Sequence, residues 1–134
     1  MKTLFELKTN LPYDVNVFDR MKETAINLLN NAQKDQYTQA IILYSSAGNE
    51  YSAIIKNACS KEQTEERALL ERLKMADDTE IRYVLCMWQD NAIDITSDAF
   101  RKLMIDLDPK NMESLMFVMT AESVGVIKVS ATIK

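Results

Sequence analysis

Apolar side chains recur three and four apart in the first third of the chain: Val17, Phe18, Met21, Ala25, Leu28, Leu29 and Ala32. That period lines one face of a helix and predicts one over 17–34, with Asn16 as its cap and Asp19 in its first turn. The period then changes. "QYTQAIILYSSAGNEYSAIIKNA" (36–58) carries two runs of apolar and β-branched residues around the turn-forming "SSAGN", which reads as two strands joined by a turn. A helix follows over 62–75, then "EIRYVLCMW" (80–88), a strand rich in branched and aromatic residues. A third helix over 97–107 is capped by Thr96 or Ser97 and closed by "DPKN". "ESLMFVMT" shows little alternation, as a strand buried on both faces does. "VGVIKVSATI" alternates better and predicts an edge strand with one solvated face.

The order is helix, two strands, helix, strand, helix, two strands. Strand–helix–strand units of this length imply parallel pairing and right-handed crossovers. The expected architecture is a three-layer α/β/α sandwich around a five-stranded mixed sheet. At 134 residues, with no internal repeat or linker, the chain reads as a single domain over 1–134, residues 1–16 forming an N-terminal extension.

Composition narrows the function classes. Apolar residues make up 47% of the chain, enough for one packed core, and the longest apolar run, "AIILY", is far too short to span a bilayer. The net charge is −4 and both signs are mixed throughout, so no basic stripe exists to neutralise the phosphates of a nucleic-acid duplex. "MKTLFELKTN" has no continuous apolar core or small-residue cleavage site, and the expected location is the cytoplasm. Two cysteines, Cys59 and Cys86, are too few for a disulfide framework and read as small core residues. There is no histidine, which excludes Ser–His and Cys–His nucleophile systems. Only Gly48 and Gly125 are present, so there is no glycine-rich phosphate loop.

Three stretches, taken in order, resemble the cytidine deaminase family. "TQAIILYSSAGNEYSAIIKNA" lies on that family's "VGAALL…G…NVENA" without a gap, matching at Ala40, Leu43, Asn57 and Ala58. Thr64-Glu65-Glu66-Arg67 falls on the family's "CAER" if the intervening loop is one residue shorter, and "TSDAFRK" stands where the family has "PCxxCRQ", with Arg101 on its arginine. The likeness covers about 18–133. It implies a site where three His/Cys ligands hold zinc, which activates a water, while a glutamate moves the proton. Here those ligand positions are Thr64, Ser97 and Phe100. Neutral hydroxyls are poor zinc ligands and a phenyl ring is none. The expectation is therefore no metal, no cofactor and no zinc-dependent deamination.

The resemblance puts the catalytic glutamate at Glu66. Independently, a helical wheel sets Glu66 within the arc of Leu69, Leu70, Leu73 and Ala76. Two readings stay open: a buried carboxyl that must be hydrogen-bonded or neutral, or an anion in a solvated first turn, favoured by the helix dipole. A rival register puts Glu65 on the catalytic position and Gln63 on the ligand. The family's ribose-binding Asn and Glu become Ile54 and Lys56.

The acid pairs Asp77-Asp78 and Asp106/Asp108 sit at helix ends and read as caps. Met104, Met112, Met116 and Met119 read as adaptable core, or with Trp88 and Phe117 as a subunit interface. The first functional reading is a non-catalytic, homo-oligomeric assembly or interaction protein. The alternative is a binder or sensor of a nucleotide-like or anionic small molecule, held by Lys56, Asn57, Glu66 and Ser97.

Overall fold

The computed structural model describes residues 13–32, 37–58, 61–119 and 123–133. Helix α1 (Val15–Asn30) leads into β1 (Gln39–Ser45) and β2 (Glu50–Ile55), then α2 (Thr64–Met75), β3 (Ile81–Trp88), the short β4 (Ile93–Asp94) and α3 (Asp98–Leu107). A 3₁₀ turn (Pro109–Glu113), β5 (Leu115–Met119), β6 (Val124–Lys128) and a second 3₁₀ turn (Val129–Thr132) complete the chain. No helix among the described residues is long and apolar enough to cross a membrane.

The sheet runs β2-β1-β3-β5-β6, with β4 paired to β3 off this path. β1 is antiparallel to both β2 and β3, so β2 and β3 run the same way with β1 between them. β3 and β5 pair in parallel across α3, and β5 and β6 antiparallel. This is the expected mixed sheet of five strands, extended by the two-residue β4. A segment that short has no readable period.

The alternation of β1 explains the layers. Ala40 and Ile42 pack with Val17, Met21, Ala25 and Leu29 of α1, while Ile41 and Leu43 pack with Leu69, Leu73, Phe100 and Met104 of α2 and α3. Both faces of β1 and β3 are covered, so each reads as a near-continuous apolar run. A register shift between Tyr44 and Ser45 skips Arg82 on β3. As a result Ile81 joins the α2–α3 side and Tyr83 the α1 side, although two residues apart on a regular strand share a face.

Several boundaries differ from the sequence reading. Asp14, not Asn16, caps α1: its Oδ1 accepts from the N–H groups of Asn16 (2.9 Å) and Val17 (3.3 Å). Tyr13 packs edge-on against Phe18 and Phe117. Residues 13–16 are thus part of the folded unit, not of an extension; residues 1–12 lie outside the described residues. α1 ends at Asn30, four residues before the expected Lys34, and 33–36 also lie outside the described residues. Helix α2 starts at Thr64 rather than at Glu62. β5 buries Met116 on the α2–α3 side and Phe117 on the α1 side, as a doubly covered strand must. The expected last strand stops at Lys128, where the chain tightens into a 3₁₀ turn. Phe117 is wholly buried, which removes it from any subunit interface, and Met104 and Met116 are core; Met119 is partly exposed.

Candidate functional site

Helices α2 and α3 begin on the same side of the sheet, and the residues matched to the family's site lie at their N-termini. Thr64, the first residue of α2, is exposed. Ser97 caps α3: its Oγ accepts from the Phe100 N–H at 3.1 Å. Phe100 points inward and is 1% exposed in the α2–α3 core. These three positions offer two neutral hydroxyl oxygens, one already engaged as a cap, and a hydrocarbon ring. They do not fit a tetrahedral zinc ion, which takes thiolate, imidazole or carboxylate ligands. Among the described residues no group of three or more His, Cys, Asp or Glu is placed to hold a metal. Cys59 lies outside the described residues; Cys86 is buried in β3.

The two glutamates at the start of α2 part company. Glu65 turns outward and its Oε2 accepts from the Lys56 N–H at 2.7 Å, tying the end of β2 to the first turn of the helix. Glu66 turns inward and is 4% exposed, so the solvated-end reading is wrong and the buried-carboxyl reading holds. Burial is the main reason its pKa is raised; Glu65 adds to the shift, while its own backbone N–H and Arg67 oppose it. Cys86 responds to the same surroundings. Its thiol is pushed up to about 12, chiefly by burial, with the charges of Asp94 and Glu66 contributing. A thiol held protonated in this way is inert as a nucleophile or ligand.

One residue before α2 departs from sequence expectation. Gln63 holds a left-handed backbone (φ 56°, ψ 37°), and its side chain does not cap the helix. That conformation costs on the order of 1 kcal/mol for a residue with a Cβ. Its side chain is buried and its Oε1 has no hydrogen-bond partner. Gln63, which the rival register sets on the ligand position, thus stands as the residue just before the helix, with an amide side chain that is no zinc ligand of the usual kind. Nothing in its residue type marks a left-handed position, which Gly or Asn would have done.

The remaining candidates are only partly brought together. Lys56 and Asn57 are exposed at the end of β2, beside the α2 N-terminus. No hydrogen bond or ion pair among the described residues joins Ser97 to Lys56 or Glu66. Arg101 is buried; it donates to the Thr96 carbonyl and approaches Asp98 at 3.6 Å, and its Nε has no partner. Asp98 also meets Lys102 at 3.0 Å, a hydrogen bond that holds its carboxyl below the usual range. A groove of about 390 Å³ between α2 and α3 is lined by Arg67, Leu70, Lys74, Leu103 and Leu107 among others, but by none of the predicted site residues. Of the acid pairs, Asp108 caps the 3₁₀ turn at Pro109 as expected, whereas Asp78 ties the β1–β2 hairpin to the end of α2 instead of capping a helix. Asp78 accepts from Ser45, Asn49 and Tyr51, and Asp108 from Lys110 N–H and Thr79.

The buried acid makes a pH prediction. Because the folded pKa of Glu66 lies above its unfolded value, its stabilising contribution is fully present below the unfolded pKa. It is lost as pH rises through the folded one. Glu66→Gln keeps the shape and removes the titration. Its melting temperature should exceed that of the wild type at about pH 8, and the gap should shrink towards about pH 4, where the unfolded carboxyl is also protonated. Thermal melts across that range read the difference directly. A variant less stable at both ends would show that the carboxylate itself makes bonds the amide cannot.

No family model matches the sequence, and a search of curated proteins finds no relative. The fold, however, has solved counterparts. The chain is similar to cytidine deaminase from Bacillus anthracis, with a TM-score of 0.66 and 9% identity over 86% of this chain and 85% of that one. It is also similar to the enzyme from Burkholderia pseudomallei (TM-score 0.62, 16% identity, 84% and 93% covered). For cytidine deaminase from Mycobacterium leprae the TM-score is 0.58 at 14% identity, with 81% and 92% covered. The protein has a cytidine deaminase-like fold along most of its length.

Proposed function

We propose that this chain is a non-catalytic protein of cytidine deaminase-like fold, which acts by assembly or interaction as a cytoplasmic homo-oligomer and carries out no zinc-dependent deamination. The observation that carries the reading is chemical. At the N-termini of α2 and α3 stand Thr64, a Ser97 committed to capping, and a Phe100 buried in the core, none of which can hold the metal that deamination in this fold uses. Glu66 turns inward and is buried, and a buried carboxyl without an activated water is a packing group.

A second reading is a binder of an anionic or nucleotide-like ligand around Lys56, Asn57, Glu66 and Ser97. It is supported by the exposed Lys56 beside the start of α2, where helix N–H groups favour an anion.

Three measurements on the purified full chain separate these readings: bound metal by mass spectrometry, ammonia release from cytidine with added zinc, and mass in solution by light scattering. The expected result is no stoichiometric zinc, no turnover and a species larger than the monomer. Turnover or stoichiometric zinc ends the non-catalytic reading, and a monomer at all concentrations ends the assembly reading. A thermal shift with nucleotides but not with zinc moves the assignment to the binder; a ligand at about 100 times its Kd should add ~2.7 kcal/mol.

A further inference from the structure

The two edges of the sheet are treated differently. At one edge, the bond from Ser45 N–H to Asn49 C=O (2.9 Å) fixes which β2 residues face β1, namely the odd-numbered ones. The N–H and C=O groups of Ser52 and Lys56 therefore face outward, and α2 covers them: Arg72 donates to Ser52 C=O and Glu65 accepts from Lys56 N–H. This is a guarded edge.

At the other edge, Val129 N–H donates to Ser114 C=O at 3.0 Å, and the β5–β6 register continues from that pair without a shift. The odd-numbered residues of β6 thus face β5, and the N–H and C=O groups of Val124, Val126 and Lys128 face outward. No hydrogen bond among the described residues reaches them. β6 carries no proline and no bulge, and its one charge, Lys128, is met by Glu113 at 3.3 Å. Among the described residues none of the devices that normally blunt an exposed edge is present, save a lysine at the end of the strand.

We infer that β6 is a self-association edge, on which β6 of a second copy of this chain adds antiparallel about a two-fold axis through Val126, joining the two sheets into one. The inference rests on the assembly reading above and names its surface. The occupant follows from the strand itself. Its outward groups are centred on Val126, so the two-fold sets Val126 against its copy and Val124 against the partner's Lys128, and every outward donor meets an acceptor. Lys128 then faces an apolar residue at each end, never another lysine, so no like charges stand opposite. Gly125 comes opposite the partner's Ile127. A Cβ added at Gly125 would meet nothing within 4 Å, so space is open beside the position that receives the larger side chain.

Val126→Pro tests this. The Val126 N–H points away from β5, so proline removes the central outward donor without breaking a ladder bond within the subunit, which is where a strand tolerates it. Light scattering and sedimentation should find a dimer for the wild type. For a folded Val126→Pro the dimer dissociation constant should rise by at least about 30-fold. Amide hydrogen exchange on the wild type supplies a second reading independent of the variant. Val124, Val126 and Lys128 should gain protection as concentration is raised through the dimer transition, while Gly125 and Ile127 stay protected throughout. An oligomer that survives Val126→Pro, or whose Val126 amide exchanges freely, overturns the β6 edge and leaves the assembly reading standing. A wild type that is monomeric at every concentration overturns both.

Discussion

Replacing Phe100 by alanine should lower the unfolding free energy by about 3–5 kcal/mol, the range seen when a fully buried aromatic is truncated. The side chain is 1% exposed and belongs to the cluster that joins β1, α2, α3 and β5 through Ile41, Leu69, Met104 and Met116. Truncation removes the ring's transfer free energy. It also leaves a cavity walled by helices on one side and a sheet on the other, neither of which can collapse far. For a domain of this size the melting temperature should drop by about 10–20 °C. Ser97→Ala serves as the comparison: it removes the cap on the Phe100 N–H and should cost about 1 kcal/mol. The contrast bears on function. A phenyl ring worth several kcal/mol is a structural member of the core, and the helix could not exchange it for a metal ligand without refilling the space. A loss below about 1.5 kcal/mol would instead show a loosely packed inner face of α3, and the ring would be no obstacle to a site there.

What the sequence disclosed follows from which physical signals are local. α1 was legible because five buried side chains, Val17, Phe18, Met21, Ala25 and Leu29, repeat at helical spacing. β1 and β3 were legible as long apolar runs, since each is covered on both faces. Glu66 was legible as an anomaly on the apolar arc of α2, but not as buried, because a wheel says which way a residue points and not how deep the helix end lies. The cap of α1 was misread because Asp14 and Asn16 are both good cap residues two positions apart, and only the contacts choose between them. The last strand was drawn too long because "VSATI" continues an alternating pattern that the chain abandons at Val129. Gln63 and Arg101 were invisible as strained or unpaired groups, since a backbone angle and a missing partner are properties of the packed state alone.

Asn111 is the plainest case of a residue that no pattern announces. It sits in "DPKNMES", which reads as a polar turn, yet it is completely buried. Its Oδ1 accepts from the Ile81 N–H at 2.8 Å, and its Nδ2 donates to the carbonyls of Thr79 (3.0 Å) and Met104 (2.8 Å). One amide thereby closes the first residue of β3, the loop before it and the last turn of α3. Asn111→Ala should leave a buried N–H without an acceptor and remove a donor from one buried and one half-buried carbonyl. At about 1–3 kcal/mol for a stranded buried group, and with Met104 C=O still receiving Asp108 N–H, the loss should be about 3–4 kcal/mol. Urea unfolding should show the midpoint falling with the slope unchanged, because the surface exposed on unfolding is nearly the same. Asn111→Asp should be no milder, since a carboxylate keeps the acceptor for Ile81 but places a charge against two carbonyls in a dry site. If instead the aspartate variant proves close to wild type, the bond to Ile81 N–H carries most of the effect. The joint between α3 and β3 is then held from the strand side alone.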